Sequence, residues 1–280
     1  MCLSSIPAIS ADKSLYEIVV INNNCTDNTD ELCKKFAQEN PDILFRQIPE
    51  KNQGLGFARN RGITEAKGDI ISFIDDDAEV TPHFADSIIQ AFKQYPHYNA
   101  MGGKVLPIFE NKEEPRWMSK YMSGPISKID FGEVTRNFPK KYPVGCNMIF
   151  RRGVFEKYGN FKGELSRSDD KDMFLRLKKH REKVLYVPEI VVYHHIPADR
   201  ITYKSILNLG YSSGRFEATR IKEQKLWHRI SKMVELIFKF AASLFIGCLF
   251  FVLLKPEKGR FLIAYMYNMM TGFLRNFSIA

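Results

Sequence analysis

Three consecutive carboxylates, Asp75-Asp76-Asp77, close the run Ile70-Ile71-Ser72-Phe73-Ile74. Adjacent like charges repel, so a fold keeps them together only where they are solvated or neutralised. A hard divalent cation such as Mg2+ or Mn2+ neutralises them well, because it takes oxygen ligands and bridges to phosphates. An acidic turn that merely ends a strand is the other reading of the same residues. A second acidic group stands at Asp169, Asp170 and Asp172. On a helix, Asp169 and Asp172 share a face while Asp170 points elsewhere. Acids in a first turn complement the helix dipole, so capping accounts for part of this cluster. Three acids exceed what one cap needs, and Asp170 is the candidate general base, a carboxylate placed to remove a proton. His194 and His195 follow the apolar run Val191-Val192-Tyr193. Neighbours on a strand face opposite sides, so one histidine of the pair can complete an oxygen-rich metal shell. A hydrogen-bonded strand-end histidine is the simpler alternative. The segment Asn52-Gln53-Gly54-Leu55-Gly56-Phe57-Ala58-Arg59-Asn60 bears glycines and opens a helix. That pattern suits close backbone approach to an anion at the helix start. Arg59 could grip a phosphate through two hydrogen bonds, or form an ordinary ion pair.

These residues need a frame. Glu17–Ile21 reads as a buried strand ending in the turn residues Asn22-Asn23-Asn24. Thr26 or Asp27 can cap a helix running to about Gln38, with Leu32 and Phe36 on one face. Ile43–Phe45 is a second strand, Gly54–Lys67 a helix ended by Gly68, and Asp69–Ile74 a third strand. Another helix runs from Pro82 to about Gln94. Strand and helix alternate at the spacing of right-handed βαβ units, which predicts an α/β fold with a mostly parallel sheet flanked by helices. In such a sheet, ligands gather at the carboxyl ends of the strands, where Asp75–Asp77 would lie. Residues 106–142 mix prolines, charges and aromatics without period and read as a long loop. A helix over Lys171–Lys179 and two strands near Val184–Val187 and Ile190–Tyr193 follow.

At 280 residues the chain holds one large or two small domains. Residues 1–150 carry 17 Lys/Arg against 20 Asp/Glu, net −3, and residues 151–280 carry 24 against 12, net +12. A basic half suggests an anionic partner, nucleic acid or a lipid surface. The five cysteines are scattered without paired spacing, which argues against a disulfide framework or a structural zinc site and fits a reducing compartment. Met1–Ser5 has neither the basic nor the apolar region of a signal peptide. Arg200–Lys225 reads as a cationic helix, followed by apolar stretches at Phe240–Leu254 and Phe261–Phe273 with cations on their flanks. Three readings stand for these stretches: an interfacial or re-entrant hairpin, a spanning pair, and a soluble core or dimer helix pair. Cations interleaved with long apolar runs suit a bilayer better than nucleic acid.

Taken in order, Glu17–Thr29, Asn52–Asn60, Asp75–Asp77, Asn147–Arg152, Asp169–Asp172 and Val187-Pro188-Glu189 leading to His194-His195 strongly resemble the family-2 glycosyltransferases, inverting enzymes with the Rossmann-like GT-A fold. The likeness covers roughly residues 14–200. It implies a nucleotide-sugar donor, a UDP-sugar being the first guess, a glycan or lipid-linked acceptor, and Mg2+ or Mn2+. It implies metal binding by Asp75, Asp77 and His194, and donor binding by Asn22, Asn23, Asp27, Asn52, Arg59, Asp75 and Asp76. It also implies Asp170 as catalytic base. Trp117, Asn147, Asp169, Asp172 and His195 are expected near the acceptor or behind these groups. Trp117 stacks on an acceptor sugar or simply anchors its loop.

Two departures stand out. The family usually has Asp where Asn22 stands, which makes the donor less certain. The strand of Val-Ile-Pro-Thr-Tyr-Asn character that opens the family is missing, since Cys2–Ile6 matches the end of its first helix. The expectation is an N-terminally shortened catalytic domain at 1–199, with weakened or absent activity or a nucleotide-sugar-binding remnant. A basic and apolar helical tail at 200–280 is expected on the cytoplasmic face of the membrane, and no nucleic-acid partner is expected.

Overall fold

The computed structural model describes residues 1–138, 142–163 and 169–277. The chain folds into two compact units, Met1–Leu106 with Ile129–His194, and Pro107–Lys128 with His195–Ala280. The division falls five residues before the expected boundary at 199, and it assigns much of the 106–142 loop to the second unit.

The first unit opens with a short helix α1 (Cys2–Ser5), then β1 (Glu17–Asn22), α2 (Thr29–Glu39), β2 (Leu44–Pro49), α3 (Leu55–Glu65), β3 (Ile70–Phe73), β4 (Ala78–Val80) and α4 (Phe84–Gln94). It continues through β5 (Ala100–Phe109), β6 (Arg136–Asn137), β7 (Met148–Arg151), α5 (Gly153–Tyr158), α6 (Asp169–Lys179) and β8 (Val184–Ile196). The periodicity of α4 is clean: Phe84, Ile88, Ala91 and Phe92 are its buried face. In α2 the core face is Cys33 and Phe36, and Leu32 points to solvent, one position away from the expected face.

The sheet corrects the mostly parallel expectation. Strands β1 and β2 pair in parallel as a sheet of their own. The larger sheet runs β3-β7-β5-β8-β4, with β6 also on β8. Its β3–β7, β5–β7, β4–β8 and β6–β8 ladders are antiparallel. The chain reaches β4 by a tight turn and β7 by a long excursion, so neither return needs a helical crossover. Among the described residues β1 is not hydrogen-bonded to β3. The two strands expected near Val184 and Ile190 are one, β8, despite Pro188 inside it. The β6 register ends at Tyr186 and the β4 register begins at Val192, so Pro188 falls where neither strand needs its missing N–H.

Alternation along β7 builds a core on each face of the sheet. Ile149 joins the cluster of Phe84, Ile88, Tyr186 and Val192. Met148 and Phe150 join Phe155, Phe161 and Phe174 on the other side. There Phe150 stacks on Phe174 at 5.3 Å and Phe73 meets the edge of Phe161 at 5.4 Å. These rings seat α6 and Phe161 against β3 and β7.

The second unit is helical: α7 (Tyr203–Ile221), α8 (Leu226–Val252) and α9 (Pro256–Asn276). Helices α7 and α9 touch backbone to backbone, since a Cβ on Gly214 would sit 1.9 Å from the Met269 carbonyl oxygen. Among the described residues one helix, Leu226–Val252, is long and apolar enough to cross a membrane. Lys258, Arg260 and Arg275 flank the apolar stretch of α9 within the helix, so of the three readings the spanning pair keeps one candidate span among the described residues.

Candidate active site

The turn after β3 divides the three aspartates. Ala78 donates its N–H to the Asp75 carbonyl, and the chain reverses into β4. Register then sets Ala78 opposite His194 on β8. Asp75 is left facing α3, and Asp77 faces His194, with Oδ1 at 3.4 Å from Nε2. Asp76 is exposed, and its carbonyl accepts the N–H of Cys2.

Arg59 on α3 joins the two acidic clusters. Its Nη1 donates to Asp169 Oδ2 at 2.6 Å and its Nη2 lies 3.8 Å from Asp75 Oδ1. Arg59 is 6% exposed and Asp169 1%. The guanidinium also lies over the Phe161 ring, 5.6 Å from its centroid. Burial pulls the Arg59 pKa down, but Asp169, Asp75 and Asp170 outweigh it and hold the group charged. The arginine expected to grip a phosphate is thus already committed to Asp169. Gly145 makes room for it: a Cβ there would lie 2.2 Å from Nη2. Asn60, one residue on, fastens Phe161 by accepting its N–H at 2.9 Å and donating to its carbonyl at 2.8 Å.

The Asp170 carboxylate is strongly perturbed by its surroundings. Desolvation pushes its pKa up to about 6; Arg59 opposes the rise, and Asp169 adds to it. Burial likewise raises Asp75, against the pull of Arg59 and with a push from Asp77. Asp75 keeps 35% of its side-chain exposure, so solvent still reaches it. The Cys146 thiol beside them is pushed up by burial and by Asp75 and Asp77, which keeps it uncharged.

A hard divalent ion fits this donor set. Asp77 and His194 already face each other, Asp75 is a carboxylate short of positive charge, and the buried Nδ1 of His194 has no partner in the protein. Among the described residues no three such side chains are closed into a ready cage. Mg2+ and Mn2+ sites of this kind complete their shell with water and phosphate oxygens, so a partial protein shell suffices.

The other expected residues have different partners. Asn22 donates to Asp30 at 2.7 Å and accepts from the Cys25 N–H at 2.8 Å. Asn23 donates to the carbonyls of Glu50 and Asn52 and accepts from the Gly54 N–H, which ties the β1 turn to the β2–α3 loop. Asp27 holds Thr29 at the start of α2, and the backbone of Asn52 is held by Asn23 and Glu50. Asn147 is a strand tie: its Nδ2 donates to the carbonyls of Lys104 and Ile190. Asp172 pairs with Arg176, which fastens the carbonyls of Tyr158, Gly159 and Asn160. Trp117 is an anchor, as the second of its two readings has it. Its indole N–H meets the Ile201 carbonyl and its ring stacks on Phe261 at 5.1 Å within the second unit. His195 faces away from His194, as alternation requires. Sequence reasoning missed Gly145 and Phe161, which stand in no motif that would single them out, and it gave Asn60, the last residue of the Asn52–Asn60 segment, no role of its own.

The arrangement, a buried carboxylate with a raised pKa near aspartates that follow a strand, has the groups that acid–base chemistry at a transferred group would use. The pattern of Glycosyl transferase family 2 matches residues 2–159, and the chain belongs to that family. It is 26% identical over 226 residues to the putative glycosyltransferase EpsH of Bacillus subtilis, which spans 78% of this chain and 60% of that protein. It is 36% identical over 153 residues to a poly-beta-1,6-N-acetyl-D-glucosamine synthase of Staphylococcus aureus, covering 55% of this chain and 34% of that one. The chain thus covers less than two thirds of the length of these relatives. The GT-A fold is shared with the mannosyltransferase PcManGT from Pyrobaculum calidifontis, solved with GDP-Man and Mn2+, at TM-score 0.63 and 18% identity over 97% of this chain and 81% of that one. It is also shared with S. aureus TarS in complex with UDP-GlcNAc, at TM-score 0.55 and 14% identity over 99% and 87% of the two chains.

Proposed function

We propose that this chain transfers a sugar from a nucleotide-diphosphate sugar to a hydroxyl of a glycan or lipid-linked acceptor, with inversion. The observation that carries the reading is Asp170, raised to about 6 beside Asp169, the carboxylate that Arg59 ties to Asp75. At pH 7 a group with that pKa is about ten parts ionised to one protonated, a suitable state for a general base. Asp170 accepts the proton of the acceptor hydroxyl as that oxygen attacks the anomeric carbon. A divalent ion held by Asp75, Asp77 and His194 would neutralise the departing diphosphate. Arg59 holds Asp169, and through it fixes the first turn of α6 that presents Asp170. The turn at Asn22 and Asn23, locked to the β2–α3 loop, offers a rigid edge for the nucleobase. UDP-sugars are the first donors to test, since a neighbour of the same fold binds UDP-GlcNAc. The apolar face of α8 would hold the chain at the cytoplasmic surface of a membrane.

The test pairs a transfer assay with calorimetric titration of UDP-sugars in the presence of Mn2+. Asp170→Asn should abolish transfer and leave binding nearly intact. Transfer that survives the change would sink the assignment. One observation favours a second reading, a nucleotide-sugar-binding protein without turnover: the β1–β2 ladder stands apart from β3. Wild-type binding without transfer to any acceptor would select it.

A further inference from the structure

The second unit contains a feature that sugar transfer does not use. A groove of 440 Å3 runs along its helices, lined by Tyr203 and Leu207 of α7, Phe240 and Phe251 of α8, and Ile263 and Tyr267 of α9. Its wall is almost wholly apolar, and one cation, Arg260, lines it too. Arg260, Ile263 and Tyr267 stand three and four residues apart, so α9 turns one continuous face to the groove. The Arg260 guanidinium lies 4.6 Å from the centroid of the Tyr203 ring, which holds it at the rim. Among the described residues no carboxylate pairs with it. Lys255 is exposed in the α8–α9 turn, just after the exposed pair Leu253-Leu254, and Lys258 is half-buried in the first turn of α9. Helix α8 exposes Trp227, Phe238, Phe245 and Val252 along its length, an apolar surface that water does not favour.

We infer that this groove seats one anionic phospholipid of the host bilayer, with an acyl chain between α7, α8 and α9 and its phosphate on Arg260. An apolar slot with a single charged end matches a lipid and does not match a sugar, which needs several convergent polar groups. Arginine is suited to the phosphate because its planar fork donates two hydrogen bonds to two oxygens. Lys255 and Lys258 lie where an anionic headgroup layer would be, each giving roughly a fivefold gain in binding to such a surface. The inference rests on the membrane reading above and adds to it a stoichiometric site with a headgroup preference.

The full chain is placed in nanodiscs of phosphatidylcholine, alone or mixed with phosphatidylglycerol, and lipid retained after release is counted by native mass spectrometry. Vesicle flotation is run beside it. The expected result is flotation together with one retained phosphatidylglycerol. Arg260→Gln, an exposed change that keeps the shape, should lower the preference for phosphatidylglycerol over phosphatidylcholine about tenfold, the loss of one charge-assisted hydrogen bond. Ala264→Trp, which fills the groove, should abolish retention of both lipids, with helical circular dichroism confirming the fold. Flotation with equal retention of the two lipids would overturn the site while leaving membrane binding intact. So would retention that neither variant changes, or selective retention of an added polyprenyl phosphate. No flotation at all would overturn the membrane reading itself.

Discussion

Arg59→Met tests the centre of the site. The wild-type guanidinium is buried and donates to an equally buried Asp169 at 2.6 Å. Methionine fills a similar volume but leaves the Asp169 carboxylate without its counter-charge. Removing one partner of a buried pair costs about 3–5 kcal/mol, because the remaining charge is neither solvated nor paired. That is a large share of the roughly 5–15 kcal/mol that holds a domain folded. Replacing both partners, Arg59→Met with Asp169→Leu, removes the stranded charge and should cost far less than the single change. Both tryptophans, Trp117 and Trp227, lie in the second unit, so intrinsic fluorescence does not report on the first. Amide exchange in β3 and β7 does, and it yields the local unfolding free energy for each variant. A single variant that costs under about 1 kcal/mol would refute the argument, as would a double variant as costly as the single. The same change has a kinetic signature. Arg59 restrains the pKa of Asp170, so in Arg59→Met any residual transfer should have its acid limb moved above pH 6.

Further outcomes follow from the same geometry. The wild-type acid limb of transfer should fall near pH 6, since Asp170 must be ionised to act as a base. Asp170 also sets a stability trend: its folded pKa stands above its ordinary 3.8, so the folded state binds the extra proton. Stability from this group is full below about pH 4 and is lost as pH rises to about 6, by roughly 3 kcal/mol. Asp170→Asn should flatten that trend in denaturation measured across the range. Gly145→Ala should crowd the Arg59 guanidinium without expelling it, costing about 1–3 kcal/mol by overpacking and lowering the activity, whereas Gly153→Ala, where nothing lies within 4 Å, should be near neutral. Chelation should abolish transfer and added Mn2+ restore it. His194→Ala should raise the Mn2+ needed by about tenfold or more, the scale seen when partners of metal ligands are lost; unchanged Mn2+ dependence would remove His194 from the site.

What the sequence displayed and what it concealed divide along a physical line. Local chemistry was legible: the run into Asp75–Asp77, the periodic face of α4 and the alternation that separates His194 from His195 all depend on neighbours within a few residues. Strand direction was not. The alternation of strands and helices through β1, α2, β2, α3 and β3 is real, but β3 pairs next with β7, some 75 residues away, and no local pattern encodes which edge a later strand takes. The tail shows the same limit. Two apolar stretches of similar look form helices of different kinds, because the cations of α9 count against it and those of α8 gather at one end.

The Arg59–Asp169 pair is the sharpest case, because each residue had a sensible local role that the fold does not use. A helical arginine after glycines suggests an anion, and an aspartate at a helix start suggests a cap. Each would be satisfied by solvent or substrate if it stood at a surface. Burial removes that option: a charge with almost no access to water must find its counter-charge within the protein. Phe161 and Phe174 pack α6 onto the sheet, and Asp169 in its first turn reaches Arg59 at 2.6 Å, while Asp170, the next residue, points about 100° further round the helix. The pair therefore separates two adjacent aspartates: Asp169 is held in a buried ion pair, and Asp170 is left with a raised pKa. Two identical residues in a sequence cannot show that difference; the ring stack beneath them makes it.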